Sequence, residues 1–144
     1  MPFEIIHFPS LLKELIEEGR IKFPEGEKVS VTYHDPCHIG RHMGIYDDPR
    51  EALEAIPRVE LKEMHKSRGN AYCCGAGGGV RSTNRDLARG AAEIRLDEAE
   101  ETGAEVLTTA CPFCTFNLRE GVERIESNLE MLDFPEFVSK ILGL

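Results

Sequence analysis

Apolar and polar positions follow two periods along this chain, and their order predicts alternating helices and strands. In SLLKELIEEG, Leu11, Leu12, Leu15 and Ile16 share one side of a helix, with Ser10 as its cap and Gly19 as its stop. FPEGEK reads as a turn, and VSVTYHD as a short strand that ends just before Cys37. DDPREALEAIP predicts a second helix: Asp48 caps it, Pro49 takes the first helical position, Glu51 completes a capping box, and Pro57 ends it. VELKEM is a strand, followed by the polar turn KSRGN.

The longest helical pattern is TNRDLARGAAEIRLDEAEETG. Leu87, Ala91 and Ile94 recur at helical spacing, Gly90 leaves room for a close neighbour, and Gly103 is a natural stop. EVLTTA is a strand that delivers CPFC onto the start of the helix PFCTFNLREGVERI, and LEMLDFPEFVSKIL holds a final helix. Strands alternating with helices favour an α/β fold: a small parallel or mixed sheet flanked by helices. With 144 residues and no internal repeat or low-complexity linker, one domain over 1–144 is expected.

Composition narrows the function. The formal charge of −9 argues against nonspecific binding to nucleic acid or anionic membrane, which calls for a basic surface. No run reaches the length of a membrane span, and the amphipathic, acidic start is unlike a cationic leader. The expectation is a cytoplasmic chain with no direct membrane insertion, open to membership of a membrane-associated complex.

The five cysteines, Cys37, Cys73, Cys74, Cys111 and Cys114, change the picture most. An odd count fits a closed disulfide framework poorly, and clustered cysteines in a cytosolic chain point to metal or redox chemistry. They fall after strands or at helix starts, where α/β folds place ligand sites, so three distant segments can bring thiols to one rim. A zinc tetrahedron uses four thiolates and leaves a fifth idle, whereas an iron–sulfur cluster can use all five. The glycines of CCGAGGG, Gly75, Gly77, Gly78 and Gly79, let backbone pass close to a bulky inorganic group and aim N–H groups at its charge. A nucleotide loop is the weaker reading, because neither the Gly-x-Gly-x-x-Gly spacing nor a Gly-Lys-Ser/Thr ending is present. Cys111 and Cys114 alone remain open to a dithiol oxidoreductase, half a zinc site, or core packing. His34, His38 and His42 surround Cys37 and are open to tuning a cluster, carrying a proton or capping backbone. Arg81 and Arg85, beyond the glycines, are open to steadying an anion or to surface ion pairing.

The motifs HDPCHIGR, YDDPR, CCGAGGG and TTACPFCTFNL resemble the cysteine-rich CCG domain, over about residues 30–120. That family occurs in heterodisulfide reductase subunits and in iron–sulfur subunits of glycolate oxidase and related systems. The resemblance implies a Rossmann-like module. In its heterodisulfide reductase branch it implies a noncubane [4Fe-4S] cluster held by Cys37, Cys73, Cys74, Cys111 and Cys114, which supplies electrons for disulfide cleavage. His34 or His38 would donate protons to the leaving thiolates. Family members commonly carry two CCG modules and ferredoxin-like clusters. The expected partners are therefore a second CCG module and a ferredoxin-like or flavoprotein redox subunit, with the chain resembling the C-terminal module of a larger reductase. The competing readings are a zinc-binding structural module and a simple CxxC oxidoreductase.

Overall fold

The structure is a computed structural model and describes residues 3–144. Four strands, β1 (Val29–Tyr33), β2 (Val59–Leu61), β3 (Val106–Thr109) and β4 (Glu130–Asp133), form one sheet in the order β2-β1-β3-β4. Every pairing is parallel, with Val29 opposite Val59, Val31 opposite Val106, and Thr108 opposite Leu132. The sheet is thus parallel and not mixed.

Six helices cover it: α1 (Phe8–Glu17), α2 (Asp47–Glu54), α3 (Val80–Thr83), α4 (Arg85–Glu101), α5 (Pro112–Ile125) and α6 (Phe134–Leu142). Leu12, Leu53, Ile56, Phe134, Phe137 and Ile141 form a core with Val31, Tyr33 and Val106 on one face. Ala92, Leu96, Ala99 and Leu118 pack with Leu107 and Met131 on the other. Neighbouring β3 residues therefore serve opposite cores, as the two-residue pleat requires. Among the described residues, no helix is long and apolar enough to cross a membrane.

The strand order positions the site. The connection from β1 runs outward to β2, while that from β3 runs the other way to β4, so the direction of winding across the sheet reverses between the two central, parallel strands. A crevice opens outside the carboxyl ends of strands at such a switch point. Cys37 follows β1 and Cys111 follows β3, so both flank it.

Several local expectations give way to tertiary contacts. Ser10 lies inside α1 rather than capping it; His7 takes the cap position and Pro9 the first turn. Nor does Asp48 cap α2, whose cap position is Tyr46, with no side-chain cap. Instead Asp48 accepts from Ser10 Oγ at 2.6 Å and pairs with Lys13 at 3.3 Å, while Glu51 also pairs with Lys13. The residues expected to cap two helices tie those helices together.

In α4 the helix is as expected but its inner face is not. Leu87 and Ile94 are 59% and 53% exposed, and the buried stripe is Ala88, Ala92, Arg95, Leu96 and Ala99. Small alanines let α4 lie close to its neighbours, which leaves the larger side chains outside. Gly90 serves no close approach, since an added Cβ would meet nothing within 4 Å. That role falls to Gly121 on α5, where a Cβ would lie 2.6 Å from Leu96 Cδ1. The expected strand VELKEM shortens to Val59–Leu61, and Met64 turns into the second core. The short strand β4 was hidden ahead of α6, whose start carries the Asp133–Glu136 capping box.

Candidate functional site

Three segments meet at the switch point, each fixed by a different local device. Behind Cys37, Asp35 accepts two hydrogen bonds from Arg50 at 2.8 and 2.9 Å and a third from the Arg68 backbone N–H at 2.7 Å. Arg50 also pairs with Glu63. Arg41, in a π-helical turn over His38–His42, donates to the carbonyls of Gly69 and Ala71. These bonds clasp the Cys37 loop to the stretch of chain that leads into Cys73. On the far side, Cys111 occupies the cap position of α5 in extended conformation and Pro112 starts the helix. Cys114 follows one turn later and faces inward, buried.

Cys73 and Cys74 enter between these walls. Gly75 follows with φ of +85°, and a Cβ there would strike Ala88 O at 2.7 Å and Ala91 Cβ at 2.8 Å. This glycine therefore seats the loop on α4 and does not line the cavity. Buried Asn117 completes the anchorage, donating to the carbonyls of Cys74 (2.6 Å) and Ala88 (3.0 Å). Arg81 donates to Asn117 Oδ1, pairs with Glu120, and lies 4.2 Å over the Phe116 ring. Arg85 and Arg89 share the same Glu120 carboxylate.

All five cysteines line one cavity of about 280 Å³, together with His38, Gly77, Gly78, Gly79, Arg81 and Phe113. A Cβ added at any of these three glycines would meet nothing within 4 Å, and Gly78 and Gly79 have positive φ. The loop is thus side-chain-free where it faces the thiols. Cys73 is exposed, Cys37 and Cys111 are half-buried, and Cys74 and Cys114 are buried.

The thiols differ in proton affinity. The Cys74 and Cys114 sulfurs lie 3.2 Å apart. Hydrogen bonds from Cys114, Cys73 and His34 hold the Cys74 thiol far below its usual range. Cys114, bonded to Cys111 and Cys74, and Cys73, bonded to Cys74, are both pushed up. Cys111 is lowered to about 6 by the Cys114 side chain, with backbone N–H groups of Cys114 and Phe113 adding to the effect at the helix start. The shifts thus run in opposite directions among neighbouring sulfurs.

The histidines separate. His38 is exposed and lines the cavity, with His42 outside it and their ring centroids 5.2 Å apart. His34 is buried behind Cys74 and lines only a void of about 10 Å³, room for no more than about one water. Burial holds its imidazole below the ordinary value. Its Nδ1 accepts from Arg95 Nε at 3.0 Å. Ligand atoms of His34, Cys74 and Cys114 lie within 4.8 Å of one another, the spacing of a small metal site. Yet neutral imidazole has a single lone pair, and Arg95 already engages it.

Sequence reading singled out neither Asp35, Arg50, Arg95 nor Asn117. One signal was available: Arg95 interrupts an alanine and leucine stripe at the spacing of a buried helical face. Asn117 likewise follows Cys114 by one turn on the inner side of α5.

The pattern of cysteines and glycines has counterparts elsewhere. Residues 31–119 match the family model of the CCG cysteine-rich domain. The chain belongs to this family. It is 44% identical, over its whole length, to one subunit of the dihydromethanophenazine:CoB–CoM heterodisulfide reductase of Methanosarcina barkeri, covering 35% of that protein. Against a probable iron–sulfur-binding oxidoreductase, FadF, of Bacillus subtilis, identity is 33% over 97% of the chain and 20% of the relative. For the EtfAB:quinone oxidoreductase of Syntrophomonas wolfei it is 31%, over 97% of the chain and 21% of the relative. The CCG chain thus spans about a third or less of the length of these curated relatives.

Proposed function

We propose that this CCG chain is an iron–sulfur redox module of a heterodisulfide reductase-like oxidoreductase, acting on a disulfide through a noncubane [4Fe-4S] cluster. The observation that carries the reading is the convergence of five cysteines from three separate segments on one cavity. The residues fit such a group. Cys37, Cys73, Cys74, Cys111 and Cys114 offer five soft donors, more than a zinc tetrahedron uses. Gly77, Gly78 and Gly79 leave open space beside them. When bound, the cluster supplies electrons singly, so that R–S–S–R′, two electrons and two protons give R–SH and R′–SH.

The chain's own side chains do the rest. His38, exposed at the cavity edge, donates a proton to a departing thiolate. Phe113 and the glycine loop line the cavity beside the thiols, and Arg81 holds one wall through Asn117 and Glu120. His34 is kept from proton donation to substrate by its place behind Cys74. The electron source would be a ferredoxin-like or flavoprotein subunit, and a second CCG module would complete the substrate pocket. The organisation expected for 1–144 is a single module of that larger assembly.

The test is anaerobic expression followed by iron, acid-labile sulfide and zinc analysis with electron paramagnetic resonance. Iron and sulfide in near-equal amounts, lost on Cys73→Ser or Cys111→Ser, are expected. Zinc alone in natively loaded protein would overturn the redox reading. Disulfide exchange that survives loss of Cys37 and Cys73 would favour a simple dithiol enzyme instead.

A further inference from the structure

The most unusual side chain outside the cavity is Arg95, a fully buried guanidinium in the alanine stripe of α4. A buried cation on an apolar helix face is costly, and apolar residues of similar volume often serve stability better. Its bonds are therefore informative. Nη1 donates to the Lys66 carbonyl and to Glu98, each at 2.7 Å, whereas Nη2 has no partner. The Nε–H points at His34 Nδ1, 3.0 Å away.

That third bond has a consequence for the imidazole. A neutral histidine carries one N–H and one lone pair. With Nδ1 accepting from a guanidinium that always retains its protons, the imidazole proton must sit on Nε2. The His34 backbone is pinned to β3, its N–H donating to Thr108 O at 2.8 Å and its carbonyl accepting from Thr109 Oγ1 at 2.9 Å. The remaining N–H is the one available to Cys74, whose Sγ lies within 4.8 Å of an imidazole nitrogen.

We infer that Arg95 is a positioning residue: it locks His34 as the Nε2–H tautomer, which commits that proton to a hydrogen bond on Cys74 Sγ and withholds His34 from metal binding. The inference deepens the iron–sulfur reading and rests on it for its redox consequence. A hydrogen bond to a ligand sulfur favours the reduced, more negative state and so raises the midpoint potential. The chain Arg95–His34–Cys74 thereby sets the potential from the side of the site that no substrate reaches.

The tautomer and the potential are tested separately. Long-range ¹H–¹⁵N correlation spectra of the full chain, cofactor-free or zinc-loaded, should show His34 protonated at Nε2 alone, with Arg95→Leu populating both neutral forms. In anaerobically loaded protein, a redox titration followed by electron paramagnetic resonance should give a lower midpoint potential for His34→Leu. His34→Gln, whose amide can occupy the Nε2 position, should recover most of the wild-type value. An Nδ1–H imidazole in the wild type overturns the inference, as do equal potentials for wild type and His34→Leu, or equal shifts in both variants. If the chain takes up no iron, the iron–sulfur reading fails, while the tautomer spectrum still decides the role of Arg95.

Discussion

Glycine illustrates how one residue type does separate jobs within five positions. Gly75 combines φ of +85° with a backbone oxygen 2.7 Å from where a Cβ would stand. Gly75→Ala should therefore cost about 2 kcal/mol or more, read as a lower denaturation midpoint. At Gly77, neither restriction holds. Gly77→Ala should leave fold stability within about 0.5 kcal/mol yet reduce iron bound per chain, since the methyl group intrudes on the cavity. Glu120 offers a charge counterpart. The Arg81 hydrogen bond, aided by Arg89 and Arg85, lowers its carboxyl from 4.5 to about 2. A depressed folded-state pKa contributes stability above the unfolded value and loses it as pH falls through the folded one. The deficit of Glu120→Gln in urea midpoint should thus be full at neutral pH and fade between about 4.5 and 2. High salt should shrink it as well, because the carboxylate is partly exposed.

At the scale of elements, α4 shows which parts of a helix are written locally. Gly90 sits inside it with open space around its Cβ position, so Gly90→Ala should stabilise by about 1 kcal/mol, visible as a higher melting temperature. Gly121→Ala is expected to do the reverse, because Leu96 Cδ1 occupies its space. The presence of α4 was legible from its period and its Gly103 boundary, but its inner face was not. Leu87 and Ile94 looked like the core face, and only the neighbouring helix decides that alanines pack inward. The same holds for Ser10, Asp48 and Glu51, whose cap chemistry is equally good pairing chemistry once α1 and α2 lie side by side. Strand β4 escaped because four residues ahead of a strong helix start carry too short an alternation. The thiols fared better: metal-binding residue types announce themselves, whereas Arg95 and Asn117 act only through tertiary neighbours.

For the molecule as a whole, Asp35 is the joint between the central strand and two connections. It binds Arg50 of α2 and the Arg68 backbone, and the Asp35–Arg50 pair is nearly fully buried, at 3% and 4% side-chain exposure. Asp35→Asn leaves the guanidinium short of charge and should cost about 3 kcal/mol, with equilibrium unfolding as the measure. Loss of the clasp should also lower metal content, since Cys37 and Cys73 depend on the loops it joins.

The reversal of winding across the sheet between β1 and β3 has a consequence for how such a protein matures. No local segment holds more than two of the five sulfurs: one follows β1, two enter before Gly75, and two start α5. A nascent or partly melted chain therefore displays thiols singly or in pairs, fit for crosslinking to a neighbour but not for enclosing a polynuclear group. Only a finished sheet presents the full set, so folding acts as the gatekeeper of cofactor delivery.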